Sequence, residues 1–442
     1  MAKKKLQLVD VYEPNLYRDI FPYDKFPRAV FDDKTVPVNM PESIWITDTT
    51  FRDGQQARPP YLPEQILGIY DLLHKIDNGT GLIRQCEFFL YSKNDRKAVE
   101  LCKARNYRYP EVTGWIRAVA SDFKLVSEMG LAETGILTSA SDYHIFLKLK
   151  KTRARALQAY LDVVKSALDH GVIPRCHFED VTRADFEGFV QPFAVELLKL
   201  SKRYKSTVKI RLCDTLGFGL PWAQSTLPRS VPKLVAGLRE IGFPAQWLEW
   251  HGHNDFHKVQ SCAATAWLYG CSAANSSIFG VGERTGNPPL EAMIIEAAQL
   301  TGTDADINYT AITELAEYAR KELGFDIPKN YPLVGEDFNV TRAGIHADGL
   351  LKNEEIYNCF DTEKLLKRPV EVAITDKTGA AGIKHWVEKK FKVELSKQSP
   401  YILKIKEKID AEYADNRVSA ISDDEMMFWT KKVFAKKLPP LR

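Results

Sequence analysis

From Ser43 to Gly302 the chain repeats one pattern: a short apolar run ending in a polar cluster, then a longer stretch whose apolar residues recur at three and four. The runs at Ile44–Thr47, Ile83–Leu90, Val112–Ala118, Glu133–Leu137, Val172–Phe178, Val208–Cys213, Trp247–Trp250 and Ser277–Phe279 predict strands. Between them, Pro63–Ile76, Thr152–His170 and Phe189–Tyr204 have the spacing of amphipathic helices. Strand followed by helix, repeated, specifies a parallel sheet, because parallel neighbours need a crossover between them. Eight such units in about 240 residues predict a closed (β/α)8 barrel of α/β class.

The flanks read differently. The first forty residues hold six aromatics and four prolines without a steady period, as in Phe21-Pro-Tyr-Asp-Lys-Phe-Pro27. Residues 1–43 are therefore expected to wrap a surface through aromatic anchors. After the barrel at 44–302, residues 303–442 turn helical, at Tyr309–Leu323, Glu363–Leu366 and Ile383–Phe391, the last following a Gly379-Ala-Ala-Gly382 turn. They suffice for a mostly helical second region.

Composition narrows the class. The 61 Lys+Arg nearly balance the 58 Asp+Glu, so no broad phosphate-tracking surface is expected, and the basic ends Lys3-Lys4-Lys5 and Lys431 to Arg442 read as solvated tails. No apolar run is long enough for a membrane span and no leader pattern follows Met1, which predicts a cytoplasmic protein without nucleic-acid or membrane partners. The seven cysteines are scattered and form no Cys-x-x-Cys, so they are expected to be small buried apolar residues.

The most informative string is His251-Gly-His253-Asn-Asp255. It follows the strand at Trp247–Trp250, and the period of two points both imidazoles to one side at the strand's C-terminal end, the face where barrel enzymes react. The pair could instead be hydrogen-bonded in a turn. Two neutral imidazoles need an anionic oxygen to hold a divalent ion; Asp53, just past the first strand, is the candidate. Arg52 beside it would donate to an oxyanion, or pair with carboxylates at the surface.

By alternation Arg175, His177 and Glu179 share one face of the fifth strand, as do Arg211, Cys213 and Thr215 of the sixth. Charged groups in a lumen are either paired there or meet an anionic substrate. The string Gly280-Val-Gly-Glu-Arg-Thr-Gly286-Asn287, expected to end the eighth strand, lacks the spacing and the strand–helix unit of a dinucleotide site. Asn287 offers an oxygen to a metal or its water, or serves a turn.

Together these strings resemble the DRE-TIM metallolyase superfamily, in its Claisen-condensing branch of isopropylmalate, homocitrate and citramalate synthases. Asp48-Thr-Thr-Phe-Arg-Asp-Gly-Gln-Gln56 resembles the family's D-T-T-L-R-D-G-x-Q signature. His251-Gly-His253-Asn-Asp resembles H-x-H-N-D, Gly282-Glu-Arg-Thr-Gly-Asn287 resembles G-E-R-x-G-N, and Ser141-Asp-Tyr-His144 resembles S-D-x-H. Ala343-Gly-Ile-His346-Ala-Asp-Gly-Leu-Leu-Lys352 resembles the synthases' G-I-H-x-D-x-x-x-K segment. Within the branch, Glu13–Asp24 and Ala57-Arg-Pro-Pro-Tyr61 look most like the Re-type citrate synthases and phosphinomethylmalate synthase.

The resemblance implies a 2-oxo acid chelating a divalent ion on Asp53, His251, His253 and, through its oxygen, Asn287. Mn²⁺ is favoured, with Mg²⁺, Co²⁺ and Zn²⁺ as alternatives. Acetyl-CoA is the implied cosubstrate and oxaloacetate the implied 2-oxo acid, giving citrate and CoA. Arg52 would stabilise the developing alkoxide. His346, assisted by a carboxylate and Tyr357, would take the methyl proton. Glu179 joins these catalytic groups, since it and Thr215 match positions that contact substrate in the family. Gln56 is placed with the substrate-binding residues, and His177 departs from the small hydroxyl residue common at its position. The second carboxylate of oxaloacetate calls for a cation, for which Arg117, Arg175 and Arg211 are candidates. A homodimer with composite active sites is also implied. Homocitrate, isopropylmalate and phosphinomethylmalate synthases, using other 2-oxo acids, are the nearest alternatives. Acyl-CoA lyases share Arg-Asp-Gly and His-x-His but typically carry a cysteine in the glycine-rich loop, and Gly280–Asn287 contains none.

Overall fold

In the computed structural model, which describes residues 6–302 and 306–434, eight strands close into a parallel barrel in sequence order. They are β1 Trp45–Asp48, β2 Ile83–Phe89, β3 Glu111–Ile116, β4 Glu133–Ser139, β5 Ile173–Glu179, β6 Lys209–Asp214, β7 Leu248–Gly252 and β8 Ala273–Ser276. Closure is made by β8 on β1, with Thr47 opposite Asn275. The intervening helices are α1 Pro63–Asp77, α2 Lys93–Ala104, α3 Phe123–Glu128, α4 Arg153–Asp169, α5 Gln191–Tyr204, α6 Val231–Glu240, α7 Val259–Tyr269 and α8 Leu290–Thr301. Lys3-Lys4-Lys5 and the end of the chain beyond residue 434 lie outside the described residues.

Local chemistry explains the boundaries. Pro63 opens α1, where its missing N–H costs nothing, and Asn78 closes it in the left-handed conformation. Thr152 caps α4 by accepting from the Arg155 amide. Seven strands fall within about two residues of expectation, as boundaries usually do. The eighth does not: β8 is Ala273–Ser276, and the expected Ser277–Phe279 instead enters a tight turn in which Phe279 has φ of 51°. The sequence Ala-Ala-Asn-Ser lacks the β-branched and aromatic residues that mark strands, while the apolar Ile278 and Phe279 imitate them.

Alternation divides each strand between two environments. Phe178 of β5 faces outward and stacks on Phe193 of α5 at 4.8 Å, and Leu212 of β6 and Trp250 of β7 are also fully buried. The inward set is ionic rather than aliphatic. Arg175 donates to Glu133 at 2.7 Å, Glu87 at 2.8 Å and Gln85 at 3.1 Å; Arg211 donates to Glu87 at 2.8 Å and, bidentately, to Glu249 at 2.9 and 3.1 Å. Of the two readings of these arginines, pairing within the lumen is the one observed. Burial by itself would raise the Glu87 pKa, but Arg211, Arg175 and Arg52 outweigh it and bring it to about 2.

Glu87 thus contributes stability that is present above its ordinary pKa of 4.5 and is lost as pH falls towards about 2. A Glu87→Gln variant leaves two buried guanidinium groups short of charge. It is expected to destabilise the barrel by about 3–5 kcal/mol near neutral pH. Urea unfolding should show this gap narrowing below pH 4.5, and a constant gap between pH 7 and 3 would contradict it.

The N-terminal segment is tied across the barrel. Asn15 N–H donates to Asp142 at 2.7 Å, Tyr143 Oη donates to the Leu16 carbonyl at 2.6 Å, and Lys233 pairs with Asp32 at 2.7 Å. Six cysteines are buried and Cys359 is exposed. Among the described residues no helix is long and apolar enough to cross a membrane.

The first compact unit runs to Asn308 and a second begins at Tyr309. The second holds α9 Thr310–Leu323, α10 Gly344–Lys352, α11 Thr362–Leu366, α12 Ala380–Phe391, α13 Pro400–Ala414 and α14 Asp423–Phe434. Val340–Thr341 and Glu371–Val372 form a short parallel ribbon. Its core includes Ile383, Trp386, Val387, Ile402, Ile405, Ile409, Met426 and Phe434.

Candidate active site

His251 lies in β7 and His253 just beyond it; Asp53 sits in the turn after β1. The Asp53 carboxylate and one ring nitrogen of each histidine lie within 4.8 Å of one another, all three residues buried. The turn is fastened by Thr50, whose hydroxyl bonds Asp48 at 2.6 Å and accepts from the Ile278 amide at 3.0 Å, so the loops after β1 and β8 are held together. Glycine is required at 282 by close approach: a Cβ there would land on Asn287 Nδ2 and lie 2.6 Å from Asp53 Oδ2. At Gly286, φ is +86° and a Cβ would collide with the Gly280 carbonyl.

Asn275 decides the tautomer of His251. Its Nδ2 donates to the Thr47 carbonyl at 3.1 Å, which turns Oδ1 towards His251 Nδ1 at 2.6 Å. Nδ1 must therefore carry the proton, leaving a lone pair on Nε2. That Nε2 faces His253 Nε2 at 3.2 Å. Burial holds the pKa of each imidazole down, His251 further because His253 adjoins it. Burial opposes ionisation of Asp53 as well, but Arg52, the two neighbouring histidines and the Asn287 amide together outweigh it and hold the carboxyl well below the usual range. The donor set is one carboxylate and two neutral imidazoles, and His253 Nδ1 and Asn287 Oδ1 are buried without a hydrogen-bond partner. This chemistry fits a divalent cation with open coordination positions.

Arg52 donates to Asp53 at 2.8 Å, lies 3.9 Å from Glu87 and stacks over Trp115 at 4.9 Å. Asn287 donates its amide N–H to Asp53 Oδ2 at 2.7 Å. It thereby positions the carboxylate through its amide N–H, while its Oδ1, the oxygen the sequence offered to a metal or its water, is buried without a hydrogen-bond partner. Across the rim, Glu179 accepts from Ser139 and from Lys148 at 3.2 Å, and its Oε2 lies 3.0 Å from His144 Nδ1. Burial would raise its pKa, but His144, Ser139 and Lys148 bring it to about 2. Thr215 Oγ1 accepts from the Asp180 amide at 2.8 Å.

The expected substrate cations need correction. Arg175 and Arg211 are buried in the lumen and paired with Glu87, Glu133 and Glu249, so their charge is balanced there rather than offered to a second carboxylate. Arg117, at the surface after β3, is held bidentately by Asp122 at 2.9 and 3.0 Å. Gln56 is exposed at the end of its turn. His177 is buried below Glu179 and kept neutral by burial and by the neighbouring arginines. In the second unit, His346 and Tyr357 are exposed, their rings 4.4 Å apart. Asn275 escaped the sequence reading because its strand was misplaced. Lys148 was also missed, and His144 was quoted in Ser141-Asp-Tyr-His144 without a role.

Comparison with known proteins bears on the family and the fold. The HMGL-like family profile matches residues 43–318. A protein of Syntrophus aciditrophicus named citrate (Re)-synthase is 54% identical over 96% of this chain and 68% of its own length. One of the same name from Clostridium kluyveri is 52% identical over 97% of this chain and 95% of its own length. Among solved structures, hydroxymethylglutaryl-CoA lyase from Pseudomonas aeruginosa superposes with a TM-score of 0.52 at 18% identity, covering 65% of this chain and 95% of that one, a likeness of fold. With its barrel matched almost from end to end, the chain belongs to the HMGL-like family of DRE-TIM barrels.

Proposed function

We propose that the chain condenses acetyl-CoA with oxaloacetate to give citrate and CoA. The observation that carries this reading is identity above half, over nearly the whole chain, to two proteins named citrate (Re)-synthase. A divalent cation held by Asp53, His251 and His253 supplies Lewis acidity to a bound 2-oxo acid; mixed nitrogen and oxygen donors favour Mn²⁺.

The chain's own groups supply the rest. Arg52, fixed by Asp53 and Trp115, donates to the ketone oxygen as it gains negative charge. His346, beside Tyr357, takes a methyl proton from acetyl-CoA, and the methyl carbon then bonds to the ketone carbon. The oxygen takes up a proton, and water cleaves the thioester to release CoA. Lys148 and His144, which share Glu179 between them, are the rim groups that would add positive charge for the second carboxylate. A homodimer with composite sites belongs to this reading.

Thiol release measured with acetyl-CoA and Mn²⁺ should be fastest with oxaloacetate and much slower with 2-oxoglutarate or 2-oxoisovalerate. Were oxaloacetate the poorest of the three, the citrate assignment would be lost.

A further inference from the structure

A cavity of about 600 Å³ opens on the strand-end face of the barrel and has no role in the chemistry above. The N-terminal segment forms one wall, with Arg18, Lys25 and Phe26; the loops after β4, β5 and β6 form the other, with Tyr143, Arg183 and Phe218. The wall is fastened in place: Phe21 packs on Phe218 at 4.9 Å, and the Tyr143 hydroxyl holds the Leu16 carbonyl.

Two features of the lining call for a ligand. Tyr23 and Phe26 are 95% and 87% exposed, large rings with nothing covering them in a segment otherwise tied down. Arg18, Lys25 and Arg183 face a single acid of the lining, Asp24, and among the described residues Arg18 and Lys25 pair with no carboxylate. Rings and unpaired cations together suit a heteroaromatic base bearing phosphates. A four-carbon dicarboxylate offers no ring face. The far wall also joins the reaction rim. Arg183, 3.8 Å over the Tyr143 ring, donates to Asp180 at 3.0 Å, and the Asp180 amide donates to Thr215.

We propose that this cavity binds the phosphorylated adenosine of the acyl-CoA thioester, adenine against the rings and phosphates on Arg18 and Lys25. The N-terminal segment is then a cosubstrate-binding element as well as a wrap. This rests on the acyl-CoA reading above.

Calorimetry on the full chain with CoA and with adenosine 3′,5′-bisphosphate tests it, comparing wild type, Arg18→Ala/Lys25→Ala and Phe26→Ala. The double variant should bind both ligands roughly tenfold or more weakly, the scale of lost charge-assisted bonds to phosphate. Its KM for acetyl-CoA should rise in parallel, while kcat, the KM for oxaloacetate and turnover of S-acetylpantetheine, which lacks the nucleotide, stay unchanged. Phe26→Ala should weaken binding in the same direction. Unaltered CoA affinity in both variants, with thiol release from acetyl-CoA intact, would overturn the nucleotide site and leave the enzyme reading standing. Wild-type protein that neither binds CoA nor releases thiol with any 2-oxo acid would overturn both.

Discussion

A His253→Ala variant is expected to lose stoichiometric Mn²⁺ binding and at least about a thousandfold in kcat, the equivalent of several kcal/mol of lost transition-state stabilisation. The residue supplies one of three donors gathered within 4.8 Å, and no other His, Cys, Asp or Glu among the described residues joins that group. Asn275→Ala provides a graded comparison. It leaves all three donors in place but frees His251 to rotate or change tautomer, so metal affinity should fall about 10–100-fold, the usual cost of losing an outer-shell partner. Binding can be followed by electron paramagnetic resonance of free Mn²⁺ together with initial rates. Full metal occupancy in His253→Ala would remove the proposed centre.

His346→Ala is expected to keep wild-type metal binding and to lose about 10²–10⁴-fold in kcat, the range of a general base. The residue lies in the second unit, so its loss should leave the barrel's chemistry of binding untouched. Because composite sites are part of the proposed function, mixing His253→Ala with His346→Ala protomers should restore a fraction of activity that neither variant has alone. Full turnover by His346→Ala would refute the assignment of the base, and failure of complementation would refute the sharing of sites between copies.

How much of this was legible beforehand depended on the range of the interaction. The cluster of Asp53, His251 and His253 was legible because Asp53 follows one strand and the histidines end another, and a parallel barrel brings all its strand ends to one face. Asn275 was not, since Ala-Ala-Asn-Ser carries no strand signal and its partners Thr47 and His251 are 228 and 24 residues away. Asn287 was legible as a neighbour of the site, but whether it turns its oxygen or its amide to Asp53 depends on a hydrogen-bond geometry that a string of letters does not contain.

The lumen arginines show the same division. Alternation alone placed Arg175 and Arg211 inward, because side chains on a strand change face at every residue. Whether they meet substrate or protein depended on Glu87, Glu133 and Glu249, which arrive from three other strands and are brought opposite them by barrel closure. By itself, then, the sequence determined the barrel, the order of its units and the donors at its rim, all consequences of local periodicity and chain direction. Only the tertiary structure decided which charges are already neutralised, which imidazole nitrogen is free, and that the N-terminal segment walls a cationic cavity. Those properties depend on contacts between residues distant in the chain, whose strength falls off over a few ångströms and which no local pattern records.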